Sequence, residues 1–412
     1  MENLNLVKAF RQNQNLAFHY SNYNWFLAGC FLSETADWLN RMALNWLVFT
    51  LTDSPFYIGL VEFCRMVPIL LFSVFGGVAA DKWDKRKMLM VTQFGAMLTT
   101  LALAYAVNSG VESFAYLSFF IFVYGIFFAF EIPIRNAMIP TLIPKHAMTS
   151  GLSLYSATLN MSRIVGPAIA GIMLGIWSAP TLIFVNALSF VLGLSTLFII
   201  RPVSEHRQIG RHLQFVTGIK EAVTYLKSHS IVFGVFILGI VPMVFGFPYT
   251  SLMPAFAKGV LHTGPEGFGL LLAISASGAV VTSILLGWGK YPFTKGRLFV
   301  GCIIGFGVGL ILVSFSNVYL FALFFMFFVG MASQGYRIIE RAIIQESIPD
   351  HIRGRILSIV MMDSGFIPLG NLLSGFLGEK IGVVATLCFM GIVCIKAALV
   401  ATIINRRLIT VD

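Results

Sequence analysis

The chain has 412 residues, 57% of them hydrophobic and 11% charged, and its mean hydropathy is +0.85. A soluble domain carries about a quarter charged residues, so this composition excludes a soluble globular enzyme, and it is far too apolar for a disordered or collagen-like chain. On so apolar a chain the net charge of +10 reads as loop charge at a membrane surface rather than as a nucleic-acid-binding face.

Met1 to Tyr23 is polar and lacks the apolar core of a signal peptide, so the first apolar run is predicted to be a permanent span. Apolar runs follow at about 26–50, 56–79, 88–108, 114–139, 151–176 and 180–200. A second set lies at about 231–257, 267–289, 298–315, 318–341, 355–378 and 382–405. Each approaches the ~20 residues with which an α-helix crosses a bilayer. Barrel strands are about half that length and alternate in polarity, so they are excluded. The predicted fold is an all-α integral membrane protein of twelve transmembrane helices in two six-helix halves.

Lys8, Arg11, the cluster Lys82 to Lys87, Lys145, Arg201, Lys295, Arg297, Arg406 and Arg407 fall on one side of this alternation, and Lys258 and Lys380 on the other. The positive-inside rule then predicts a cell-membrane protein with both termini cytoplasmic. The polar stretch 201–230 separates a first bundle, 1–200, from a second, 231–412. Val216, Ile219, Val223 and Leu226 recur there at helical spacing beside Lys220 and Lys227, which predicts a short helix on the inner leaflet. An internal repeat supports the division. Residues 137–153 align without gaps on 342–358 at an offset of 205, with Pro144/Pro349 and His146/His351 among the identities, and Gly166 and Gly171 match Gly370 and Gly375.

Charges inside spans are costly and mark candidate sites. Glu34, Asp37, Arg41 and Asn45 follow one face of span one, and Asp37 and Arg41, four apart, are spaced to pair. A buried carboxylate beside an arginine changes its affinity for protons as cargo or water enters, which is what coupling to a proton gradient requires. A structural ion pair that fixes helix orientation is the plainer reading of the same residues. Glu131, four residues before Arg135, is a second proton-site candidate; Arg163 lies mid-span five, and Asp363 in the inner half of span eleven. Asp363 reads as the only acidic residue well inside a span of the second half. Arg337, Glu340 and Arg341 are expected to pair at the cytoplasmic end of span ten. Cargo is expected between the two bundles, near the bilayer centre.

Between spans two and three runs Gly76-Gly77-Val78-Ala79-Ala80-Asp81-Lys82-Trp83-Asp84-Lys85-Arg86-Lys87. This resembles the Gly-x-x-x-Asp-Arg-x-Gly-Arg-Arg loop of the major facilitator superfamily, with Lys82 and Asp84 as departures; Asp84 is familiar in its drug-efflux branch, which includes macrolide and siderophore exporters. The resemblance implies a gating loop of Gly77, Asp81, Lys85 and Arg86, with Gly77 allowing close helix approach. Gly166-Pro167-Ala168-Ile169-Ala170-Gly171 on span five resembles the Gly-Pro-x-x-Gly-Gly antiporter motif of the exporters, with its final glycine pair shifted. Importers generally lack it. Arg65 with Pro68, and Pro133 with Arg135, Pro140 and Pro144, extend the likeness along the chain.

No phosphate-binding Gly-x-x-x-x-Gly-Lys-Ser/Thr loop, His-Glu-x-x-His or Gly-x-Ser-x-Gly motif occurs, and the five cysteines lie singly in apolar runs. The sequence therefore predicts no enzyme, no metal and no cofactor. It points to a secondary-active, proton-coupled exporter of small amphipathic compounds, drugs or a siderophore-like metabolite, working by alternating access. Its partners are the cargo, protons and membrane lipids, with no nucleic acid, and the chain is expected to be a monomer. An importer or facilitator on the same fold is the alternative.

Overall fold

The computed structural model describes residues 17–110, 113–200, 224, 228–287, 293–349, 356 and 360–411, apart from the side chains of 74, 81, 361 and 362. The helix expected within 201–230 lies outside the described residues. The described chain is all-helical. Its helices are α1 (Ser21–Thr52), α2 (Pro55–Lys82), α3 (Lys85–Asn108), α4 (Phe114–Leu142), α5 (Met148–Ile176), α6 (Ala179–Ile199), α7 (Ser230–Phe245) and α8 (Tyr249–Gly259). They continue as α9 (Pro265–Gly287), α10 (Lys295–Ser314), α11 (Tyr319–Ser347), α12 (Ile367–Ile381) and α13 (Val383–Ile404).

Among the described residues, 10 helical stretches are long and apolar enough to cross a membrane. α1 and α12 fall outside that set. In α1 the polar groups Glu34, Asp37, Asn40, Arg41 and Asn45 interrupt the apolar run, although its 32 residues span about 48 Å. α12 has 15 residues, about 22 Å of helix, and follows a 3-10 stretch at Met361–Phe366, so the run expected at 355–378 is not one α-helix throughout. The run expected at 231–257 is also broken, between α7 and α8. There the amide of Phe247 reaches back five residues to the carbonyl of Pro242 at 2.8 Å, and Pro248 supplies no amide.

Local chemistry sets the ends. Asp84 caps α3 by accepting from the amide of Lys87 at 2.9 Å, and Thr294 does the same for α10. Pro180 and Pro368 stand in the first turns of α6 and α12, where a missing amide costs nothing. Gly382, at φ 85°, makes the turn into α13 that a side chain would strain.

The helices group into two compact units. One comprises Met1–Ala43, Val67–Gly166 and Trp177–Ile209; the other comprises Leu44–Met66, Pro167–Ile176 and Gly210–Asp412. The first is packed around Tyr23, Phe26, Ile134, Met138, Ile139 and Leu197, all buried, and the hydroxyl of Tyr23 donates to the carbonyl of Gly151 at 2.6 Å. In the second, Phe247, Tyr249, Phe306 and Tyr336 form an aromatic cluster, with the Phe306 and Tyr336 rings stacked at 6.3 Å. Two stretches from before residue 200 belong to this unit because glycines bring backbones together. A Cβ at Gly59 of α2 would lie 3.1 Å from the Cα of Gly375 on α12, and one at Gly171 of α5 would lie 2.9 Å from the Cα of Gly269 on α9.

Candidate functional site

Within the first unit a charge network surrounds Arg135 of α4, which is 3% exposed. Its guanidinium pairs with Glu34 of α1, with Glu131 one turn back on its own helix (2.5 Å), and with the hydroxyl of Ser33 (2.9 Å). The amide of Gln93 on α3 donates to Glu131 at 3.1 Å. Three helices thus meet in one network around a cation whose planar fork holds two carboxylates at once in a way that a lysine would not. One turn along α1, Asp37 accepts a hydrogen bond from the hydroxyl of Tyr124 at 2.6 Å. Arg41 lies with its guanidinium 5.1 Å from the centre of the Trp38 ring. The predicted residues Glu34, Asp37 and Glu131 are therefore gathered in one polar layer. Ser33, Gln93 and Tyr124 are members that sequence reading missed, since uncharged side chains give no periodic signal. Arg163 is half-buried on α5, next to Ser162, whose hydroxyl donates to the carbonyl of Phe31 at 3.2 Å.

Asn45, the last member of the α1 face, belongs to the second unit, where its amide donates to Glu62 of α2 at 2.8 Å. Glu62 is 1% exposed, and Arg65 is buried one turn further along. Asp363 is buried in the 3-10 stretch before α12 and accepts from the amide of Ser364. The expected pairing of Glu340 with Arg337 and Arg341 does not appear among the described ion pairs: Glu340 is 2% exposed and packed against Gly239 of α7, while Arg341 is exposed. Among the described residues, the second half buries two acidic groups, Glu340 and Asp363.

The loop between α2 and α3 is also built differently from its reading. Gly76 makes the close approach, since a Cβ there would lie 2.9 Å from the Cα of Phe130 and from Pro133 Cγ; a Cβ at Gly77 would meet nothing within 4 Å. The phase of the helix turns the second glycine away from α4. Arg86 donates from Nε to the carbonyl of Leu197 at 2.6 Å and from the guanidinium to that of Phe198 at 2.9 Å, so it ties α3 to the negative end of α6. Lys85 opens α3 and is half-buried; the side chain of Asp81 lies outside the described residues. On α5, Gly166 faces α1, where a Cβ would sit 3.1 Å from the carbonyl oxygen of Thr35, while Pro167 and Gly171 face Gly269 of α9. These small residues act as two separate helix-crossing points, one in each unit.

A family model described as transmembrane secretion effector matches residues 17–411. The staphyloferrin A transporter of Staphylococcus aureus (strain NCTC 8325 / PS 47) is 33% identical over 386 residues, 93% of this chain and 96% of that protein. Macrolide efflux protein A of Streptococcus pyogenes is 25% identical, covering 92% of this chain and 95% of its own. A crystal structure of a single-residue variant of the nucleoside transporter NupG has TM-score 0.77 at 12% identity, covering 93% of this chain and 99% of that one, so the fold is that of membrane transporters. An all-helical membrane chain with buried carboxylates around an arginine, matched over nearly its whole length by efflux proteins, is thus a transporter of the transmembrane secretion effector family, in the drug and siderophore efflux branch of the major facilitator superfamily.

Proposed function

We propose that the protein is a proton-coupled exporter that moves a small amphipathic metabolite of the siderophore class out of the cell by alternating access. The observation that carries this reading is the layer of half-buried Glu34 and buried Asp37, Glu131 and Arg135. A structural ion pair needs one acid and one base; here a single arginine serves two carboxylates and a third stands one turn away on a hydroxyl donor. Such a layer can change its proton count without losing its cation, and that is the requirement for coupling. The siderophore class is favoured over drugs because the staphyloferrin A transporter shares 33% identity and macrolide efflux protein A shares 25%, at nearly equal coverage.

In this reading the chain has twelve spans in the cell membrane, with α7 and α8 as one broken span, α12 as part of another, and both termini cytoplasmic. It works as a monomer, takes protons in exchange for cargo, and uses the α2–α3 loop with Asp81 and Arg86 to favour one open state. Everted membrane vesicles test it. With staphyloferrin A or a macrolide as probe, an imposed proton gradient should drive accumulation in the wild type and not in Asp37→Asn. Accumulation in the mutant equal to wild type would refute the coupling role.

A further inference from the structure

Glu340, like Glu62 and Asp363, is a buried acid outside the Arg135 layer. It lies on α11, 2% exposed, and its carboxylate rests on the backbone of Gly239, where a Cβ would overlap it. Among the described residues no ion pair reaches Glu340, and its Oε1 has no hydrogen-bond partner. The charged and titratable groups around it are Asp363, from the stretch before α12, and Tyr336, Arg337 and Arg341 on its own helix. Neither arginine is held on it: the guanidinium of Arg337 lies 5.3 Å over the Phe247 ring, and Arg341 is exposed. The buried hydroxyl of Tyr336 likewise has no partner among the described residues. α7 carries no ionisable side chain. On α9 the single one, Glu266, is at the end where Gly267 meets Tyr319, the far end of α11 from Glu340. On α10, Lys295 pairs with Glu346, Arg297 is exposed, and Cys302 faces Gly335.

The internal repeat gives this site its meaning. α4 and α11 are both 29 residues long, and their ends are offset by 205, so Arg135 and Glu340 occupy the same register. Glu34 and Gly239, which touch them, are related by the same offset. Where the first half has an acid–base ion pair, the second has a carboxylate set on a glycine, with Arg337 and Arg341 near it but no ion pair to it among the described residues. An ionised carboxylate enclosed in this way is strongly disfavoured, and a proton is the ligand that relieves it. A proton is accommodated on the carboxylate without disturbing its contact with Gly239.

We propose that Glu340 is a second proton-binding site of the transport cycle, holding one proton on a carboxylate oxygen while enclosed and returning it to water when α7 and α11 part at Gly239. Binding forms one O–H bond and turns the carboxylate into the neutral acid; release breaks that bond alone. The assignment rests on the proton-coupled reading above for its role, but the proton itself is observable without cargo. Infrared spectroscopy of the full-length protein in lipid nanodiscs at neutral pH should show a protonated-carboxyl C=O band that shifts in deuterated water. Glu340→Gln should lose that band, and Asp363→Asn should keep it. A spectrum unchanged by Glu340→Gln, or a band lost in Asp363→Asn instead, overturns the site. In everted vesicles with staphyloferrin A as probe, Glu340→Gln should lose gradient-driven accumulation while keeping carrier-mediated exchange of labelled for unlabelled probe. Equal gradient response in the variant and the wild type overturns the transport role of Glu340; a wild type that ignores the gradient overturns the coupled-exporter reading, whatever the band shows.

Discussion

The hydroxyl of Tyr124 on α4 donates to Oδ1 of Asp37 on α1 at 2.6 Å, so the mid-span carboxylate is anchored by a neutral donor from another helix. Tyr124 is itself 5% exposed and packs edge-on against Phe190 with ring centres 6.5 Å apart, which fixes the hydroxyl in place.

Tyr124→Phe is expected to cost about 1–2 kcal/mol of stability, because a buried acceptor loses a donor while the ring packing stays. Thermal unfolding of the purified protein measures it. A change within error would show that another group replaces the hydroxyl.

Arg135→Gln is expected to destabilise by about 3–5 kcal/mol, since buried Glu131 and half-buried Glu34 are left without their shared cation. Arg135→Lys should recover only part of the loss, because a point charge cannot span both carboxylates and Ser33. The measurement is denaturant or thermal unfolding of both variants, and full recovery by lysine would contradict the fork geometry.

Gly76→Leu and Gly77→Leu should behave oppositely. The first drives a side chain into Phe130 and Pro133 and should reduce folded yield and thermal stability; the second projects into open space and should stay near wild type in both. Gly269→Ala should resemble Gly76→Leu more mildly, by about 1–3 kcal/mol, because its Cβ would meet the backbone of Gly171. Fluorescence-detected size-exclusion and melting curves separate these cases.

Arg86→Ala should loosen the end of α6 without unfolding the chain. Two charge-assisted hydrogen bonds to the carbonyls of Leu197 and Phe198 are lost, and amide exchange over residues 196–200 should rise. Unchanged protection there would show that the carbonyls are satisfied by water instead.

Much of this protein is written locally. Span positions follow from apolar runs long enough for a bilayer, and the helix ends at Asp84, Thr294 and Gly382 follow from capping and backbone sterics that act over a few residues. The family likeness was legible for the same reason: the motifs at 76–87 and 166–171 are contiguous. The face Glu34, Asp37, Arg41 was readable from helical period alone. What it touches was not, because Arg135 and Tyr124 come from α4 and reach it only when α1 and α4 pack. Two adjacent glycines look alike in sequence, and only the rotation of α2 decides that Gly76 meets α4 while Gly77 does not. Glu340 makes the same point in energetic terms. Its spacing to Arg337 and Arg341 reads as ion pairing at the end of a span, yet the absence of a Cβ at Gly239, a hundred residues away in sequence, lets α7 close over its carboxylate and bury it.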